Sequence, residues 1–265
     1  MCPKCVRTSG DTPCPDGQNK AFQIQFANWR LLEKPLGTLG IQLENRYTPR
    51  GYRGFESRPL RQLRKWLARY AACHMNKKIV VRWQSWSGES IEHLVLKETT
   101  EGIWAEAVLI GKEKDNTFAA QYTIACDTEW RVRKVDISLI GGDRSIELTS
   151  DGFGNWSDRS GALPELKGAI DIDISTTPFT NTLPIRRLRL QPQQSANILV
   201  VYIQLPKLRI DIDRQRYTCL EPNKLYRYES LDGDFVRNIE TDDNGLVVIY
   251  PGLFKRIEQI EVDTY

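Results

Sequence analysis

Two carboxylates two residues apart, Asp171 and Asp173 in the run DIDIS, are the residues of this chain best spaced for acid–base chemistry. On a strand, positions i and i+2 share a face, so their ionisations would couple and one could hold a proton that the other releases. Glycoside hydrolysis needs a carboxyl pair in some such form. Neighbours on one strand point in parallel, however, and do not flank a scissile bond. The favoured expectation is that each carboxylate pairs with Arg187 or Arg189, or faces water. Glu92 is a further candidate acid or base. Arg186, read in strand register with Leu188 and Leu190, falls on an apolar face, where a guanidinium demands carboxylate or carbonyl partners. It either grips a ligand or closes an internal bridge to Asp171, Asp173 or Glu92, and the internal bridge is preferred.

Other chemistries find less support. His74 and His93 are the only histidines, which excludes a multi-His metal centre. His93 shares a strand face with Ile91 and Val95 and is expected to be a packed, hydrogen-bonded core residue. Ser85, Ser87 and Ser90 carry no G-x-S-x-G elbow, so an esterase triad is not indicated. Gly152-Phe153-Gly154 begins like a phosphate loop but no helix follows, and a tight hairpin carrying an aromatic is expected instead. Cys2 and Cys5 resemble half a zinc knuckle, with Cys14 nearby, but no second pair stands at ligand spacing and Cys73 is isolated. Neither a metal nor a cofactor is expected.

The aromatic residues form the remaining signal: Trp83, Trp86, Trp104, Trp130 and Trp156, with Tyr202, Tyr217, Tyr226, Tyr228 and Tyr250. A flat apolar body with a polar tip suits a cavity that holds an acyl chain at one end and sugar hydroxyls at the other. For any single one of them, core packing is the better expectation.

The elements that position these residues are strands. IEHLVLKE (91–98), IWAEAVLI (103–110), TFAAQYTIAC (117–126), EWRVRKVDISLI (129–140) and SIELT (145–149) follow one another, separated by Gly, Asp and Asn turns. AIDIDIS (169–175) and LRIDID (208–213) alternate, and ILVVYIQL (198–205) is apolar on both faces, as a central strand would be. TTPFTNTLP, with Pro178 and Pro184, forces an irregular crossing between two strands. Leu246–Tyr250 reads as a final strand stopped by Pro251. No stretch after Met75 predicts an amphipathic helix of three turns. The expected fold class is all-β: a single-domain antiparallel curved sheet, closed or rolled on itself.

Charge divides the chain unevenly. The whole has 265 residues with a net charge of +3, but residues 1–74 carry +8 and the rest −5. SRPLRQLRKWLARYAA (57–72) reads as a basic amphipathic helix that could lie on anionic lipid or phosphate. RGFESRPL (53–60) matches what one reading frame of a transfer-RNA T-arm encodes, and Met75 precedes the first clean β pattern. Residues 1–74 are therefore expected to be an extension upstream of the working protein, and residues 75–265 its single β domain. Nucleic-acid binding depends on the arm alone, because the acidic remainder repels phosphate. No run of some 18 apolar residues predicts a membrane span. The N-terminus lacks a secretory pattern, and Cys126 and Cys219 are the only cysteines after Met75, so a cytoplasmic protein with reduced thiols is expected, a single bridge being left open.

W-x-x-W at Trp83 and Trp86, Glu92-His93-Leu94, DIDISTTPFTNTLPIRR, QRYTCLEP from Gln215, YRYES from Tyr226 and GLVVIYPGLFKR from Gly245 together resemble the bacterial family labelled "putative glycolipid-binding", formerly a domain of unknown function. The similarity runs from about Ile79 to Ile257. It implies a single-domain spiral β-roll around an elongated interior, and a label derived from fold likeness to lipoprotein carriers. No catalytic residues carry over. Ala169 stands where the resemblance leads one to expect a Cys before the I-D-x-D run.

Binding therefore ranks first: a β-roll enclosing a lipid or glycolipid. Trp83, Trp86, Trp104, Trp130 and Tyr228 are expected to line the cavity, with Glu92, Asp173, Asn181 and Arg186 facing a polar headgroup. The alternative is a hydrolase acting on a sugar or lipid ester, with Asp173 or Glu92 as acid or base and Arg186 stabilising an anion.

Overall fold

The computed structural model describes residues 77–113 and 116–263, so the basic arm and the readings placed on it lie outside the described residues. Strand alternation is plainest in β3 (Ile103–Glu113), where Ile103, Ala105, Ala107 and Leu109 are buried and Trp104, Glu106, Val108 and Ile110 face outward. The same alternation runs through β1 (Lys77–Ser85), β2 (Ile91–Glu98), β4 (Asn116–Cys126), β5 (Val132–Leu139) and β6 (Ser145–Ser150), followed by the short β7 (Trp156–Asp158) and β8 (Gly161–Ala162). Each pairs antiparallel with the next.

The second half runs through β9 (Asp171–Ile174), the helix α1 (Thr182–Leu188), then β10 (Ser195–Gln204), β11 (Arg209–Glu221), β12 (Leu225–Ser230), β13 (Val236–Thr241), β14 (Val247–Tyr250) and β15 (Phe254–Asp263). The last strand, β15, pairs antiparallel with the first, β1, so the two meanders join into one curved sheet that does not close into a barrel. Its strands run β8 to β1, then β15 back to β9. Among the described strands the one parallel pair is β9 beside β10, because the connection between them crosses the sheet instead of turning back on itself.

That crossing corrects the sequence reading. PIRRLR was expected to be strand, but residues 182–188 are helical and Arg189 ends the helix in a left-handed conformation at φ 48°. Pro184 falls in the first turn, where its missing N–H has no intrahelical partner to lose. A strand alternation of Arg and Leu over so few residues cannot be told from a short helix by period alone. Two further expectations were inverted or incomplete. His93 is exposed and its Nδ1 accepts from Arg82 Nε at 3.1 Å; Glu92, Leu94 and Leu96 face inward instead. Pro251 does not end the sheet, since β15 follows its turn and fills the centre of the strand order.

The inner face of the first meander is filled. Trp83, Leu94, Leu96, Tyr122, Ile124 and Ile137 pack with Ile172, Ile174, Phe179 and Leu183 in one cluster. Phe179 and Leu183 belong to TTPFTNTLP, so the distinctive crossing segment occupies the interior in which a guest molecule was expected. A second cluster joins Ile185 to Tyr217, Tyr226, Tyr228, Ile239 and Tyr250 on the other half. Cys126 and Cys219 are buried free thiols.

Candidate ligand-binding site

Where the crossing segment leaves β9 and meets the β14–β15 turn, a cleft of about 150 Å³ opens. Its walls are aromatic: Tyr202, Tyr228, Phe235, Tyr250 and Phe254. Tyr228 meets Phe235 at 5.9 Å and Tyr250 at 6.2 Å between ring centroids, both edge to face, and rests against Tyr217 at 5.5 Å. Such contacts fix ring orientations more firmly than area alone would. Alternation on β12 places Tyr226 and Tyr228 together on the inner face, and the Pro251-Gly252 turn brings Tyr250 back beside Phe254.

Asp173 and Asn181 supply the polar floor. Asp173 accepts hydrogen bonds from Gln215 Nε2 at 2.8 Å and Thr180 Oγ1 at 3.1 Å, and Gln215 also bonds Asp213 at 2.9 Å. Burial pushes the Asp173 carboxyl above the usual carboxylate range, an effect that the bonds from Gln215 and Thr180 reduce. Asn181 Oδ1 accepts from Tyr217 Oη at 2.9 Å, and its Nδ2 donates to the Pro178 carbonyl at 3.2 Å. Burial, and then the nearby Asp173, raise the Tyr228 phenol, so it stays a neutral donor.

Behind the cleft lies Glu92. Thr177, a lining residue, donates to its carboxyl (2.7 and 2.8 Å to the two oxygens), and the Tyr122 phenol donates to one of the same oxygens. Burial raises the Glu92 carboxyl to about 7, with the bonds from Tyr122 and Thr177 opposing it. Register explains its place: Glu92 stands opposite Trp83 on β1, and both point inward.

The structure separates the nine sequence-predicted site residues. Asp173, Asn181 and Tyr228 meet in the cleft, and Glu92 is one hydrogen bond removed. Trp130 and Arg186 line a different cleft of about 340 Å³, with the guanidinium 4.6 Å from the indole centroid. Arg186 does bridge internally, but to Glu98 at 3.0 Å and the Asn244 carbonyl at 3.2 Å, not to Asp171, Asp173 or Glu92. The helix turns it away from the strand face on which that choice of partners rested. Trp83 is a core residue whose Nε1 donates to the Val247 carbonyl at 2.7 Å. Trp86 and Trp104 stand exposed and line neither cleft.

Asp171, the other half of the acid pair, is sealed by Arg187, whose Nε and Nη2 reach its two oxygens at 2.9 and 2.5 Å. Sequence reasoning missed Thr177, Phe235, Phe254 and Gln215. Only the alternation around Tyr226 and Tyr228 hinted at an aromatic wall; Phe235 and Phe254 enter at the ends of the β12–β13 and β14–β15 turns, where no alternation marks them. Among the described residues no cluster of His, Cys, Asp and Glu is placed to hold a metal, and no helix is long and apolar enough to cross a membrane.

Residues 80–256 match the family described as "Putative glycolipid-binding". The crystal structure of a DUF1089 family protein from Pseudomonas aeruginosa is similar at 38% identity and a TM-score of 0.58, covering 64% of this chain and 92% of that one. No curated protein matches the chain.

Proposed function

The chain belongs to the family described as "Putative glycolipid-binding", and on that premise we propose that it binds the sugar headgroup of a glycolipid in the Asp173–Asn181–Tyr228 cleft. The observation that carries this reading is the union of an aromatic wall with a polar floor, half-buried at Asp173 and buried at Asn181. Aromatic rings accept the C–H faces of a sugar, while carboxylate and amide groups take its hydroxyls. The Tyr228 and Tyr250 hydroxyls make no hydrogen bond to described residues, which leaves two donors for a ligand. At about 150 Å³ the cleft lies below the usual range for small-molecule sites, roughly 300–1,000 Å³. It therefore takes a single ring and leaves the acyl chains outside, as a filled interior requires.

Asp173 is the one carboxylate among the lining residues, which supports holding a sugar over cleaving it, since hydrolysis needs two carboxyls across the bond. Two free thiols support a reducing compartment, and the net −5 of residues 75–265 supports a ligand other than nucleic acid.

Calorimetry with a panel of glycolipids and their water-soluble headgroups tests the reading, beside native mass spectrometry of gently purified protein. Tyr228→Phe keeps the ring and removes only the hydroxyl. Its expected effect is a roughly three- to tenfold weaker affinity at unchanged thermal stability. A clean apo mass with no binding across the panel sinks the proposal.

A further inference from the structure

One lip of the cleft continues into an apolar strip on the sheet's outer face. Leu253 lines the cleft and is also 38% exposed. Its carbonyl accepts from the backbone N–H of Trp86 at 2.8 Å, so the β14–β15 turn and the β1–β2 turn stand side by side. Trp86 itself is 52% exposed. From there the register carries the strip across the strand ends. Gln84 pairs with Ile91, Ile91 with Ile110, and Ile110 with Ala119, whose carbonyl receives the Ile140 N–H at 2.8 Å. Ile91, Ile110 and Ile140 are 40%, 57% and 53% exposed. Outward-facing strand positions are normally polar, and a row of large apolar side chains there marks a contact surface.

We propose that this strip, led by Trp86 and Leu253, docks the protein on a phospholipid bilayer. The proposal rests on the cleft reading, because Leu253 belongs to both features. A headgroup held over Asp173 would leave its acyl chains at this lip, and a bilayer surface receives such chains without exposing them to water. An indole at the tip fits that partner, since Trp settles at the membrane–water interface with its ring in the acyl boundary and its N–H in the headgroups. Two turn tips joined by a backbone hydrogen bond also insert without disturbing any strand pairing.

The test is flotation of the full chain with phosphatidylcholine vesicles at physiological ionic strength, where the neutral lipid and the salt weaken attraction to the cationic arm. The parent should float, and W86S/L253S should lose about tenfold or more in partition. F153S, which alters a still more exposed aromatic at the β6–β7 turn, should float like the parent. W86F should float as well, but lose part of the fluorescence quenching that brominated acyl chains cause in the parent. Tyr228→Phe should float normally while binding headgroup less well, which separates failure of docking from failure of the cleft. The proposal is overturned if the parent stays with the unbound fraction, if W86S/L253S floats equally well, or if the strip instead mediates a dimer that the double substitution dissolves.

Discussion

Glu92 holds a carboxyl where no cation neutralises it. Among the described residues it forms no ion pair, and its partners are the hydroxyls of Tyr122 and Thr177. A carboxyl raised from 4.5 to about 7 binds its proton more tightly in the folded chain than in the unfolded one. The stabilisation is complete below about 4.5 and is lost as pH rises through about 7. At full ionisation the loss is about 3 kcal/mol. Glu92→Gln keeps an acceptor for Tyr122 and cannot ionise. It should remove this slope, unfolding at higher urea than the parent at pH 8 and near parity at pH 5. Equal urea midpoints at both values would mean that the carboxyl stays charged in the fold. The consequence for the cleft follows from Thr177: its hydroxyl is directed back to Glu92, so a ligand meets the Thr177 side chain and never the acid itself.

At the scale of elements, the segment from Thr176 to Leu188 decides what the sheet encloses. Phe179 is fully buried in the first cluster and Ile185 in the second, so one short crossing seals both halves. Phe179→Ala leaves a cavity that the flanking prolines restrain from collapsing, and should cost about 3–5 kcal/mol. For a domain of this size that lowers the melting temperature by roughly 10 °C, which differential scanning calorimetry would read directly. Much of the strand order was legible in the chain, because β3 and β4 alternate and Gly, Asp and Asn mark their turns. Three places were not. In β2 each alternating set is half apolar, so only the register with Trp83 decides that Glu92 faces inward and His93 outward. In β15 the isoleucines repeat every third residue, and one inner position is Arg256, held by Asp242 at 2.6 Å. The third place is the short helix, whose Arg–Leu spacing also suits a strand. The cleft inherits this pattern. Asp173, Asn181 and Tyr228 lie in recognisable motifs, whereas Phe235 and Phe254 stand at the ends of hairpin turns, where alternation gives no sign of the face they take.

Across the whole molecule, the sheet depends on a pairing between its first and last described strands. β15 lies between β1 and β14, matching β1 from Lys77 to Ser85, with a bulge at Arg82 and Trp83. Without it the two meanders share the packed side chains of the first cluster and isolated links such as Trp83 to Val247, Glu92 to Thr177 and Arg186 to Glu98, but no backbone ladder. No ladder would satisfy the facing backbone groups of β1 and β14, and open edges of that kind recruit other chains. A chain ending at Pro251 should therefore fail to give one cooperative transition and should enter aggregates on size-exclusion chromatography. Removing β8 alone should cost far less, because β8 is a two-residue strand at the sheet's outer end. The order of the two truncations is the discriminating result. If the loss of β15 proved as mild as the loss of β8, the shared core would hold the two meanders together without the ladder, although the cleft would still lose Phe254, which it borrows from β15.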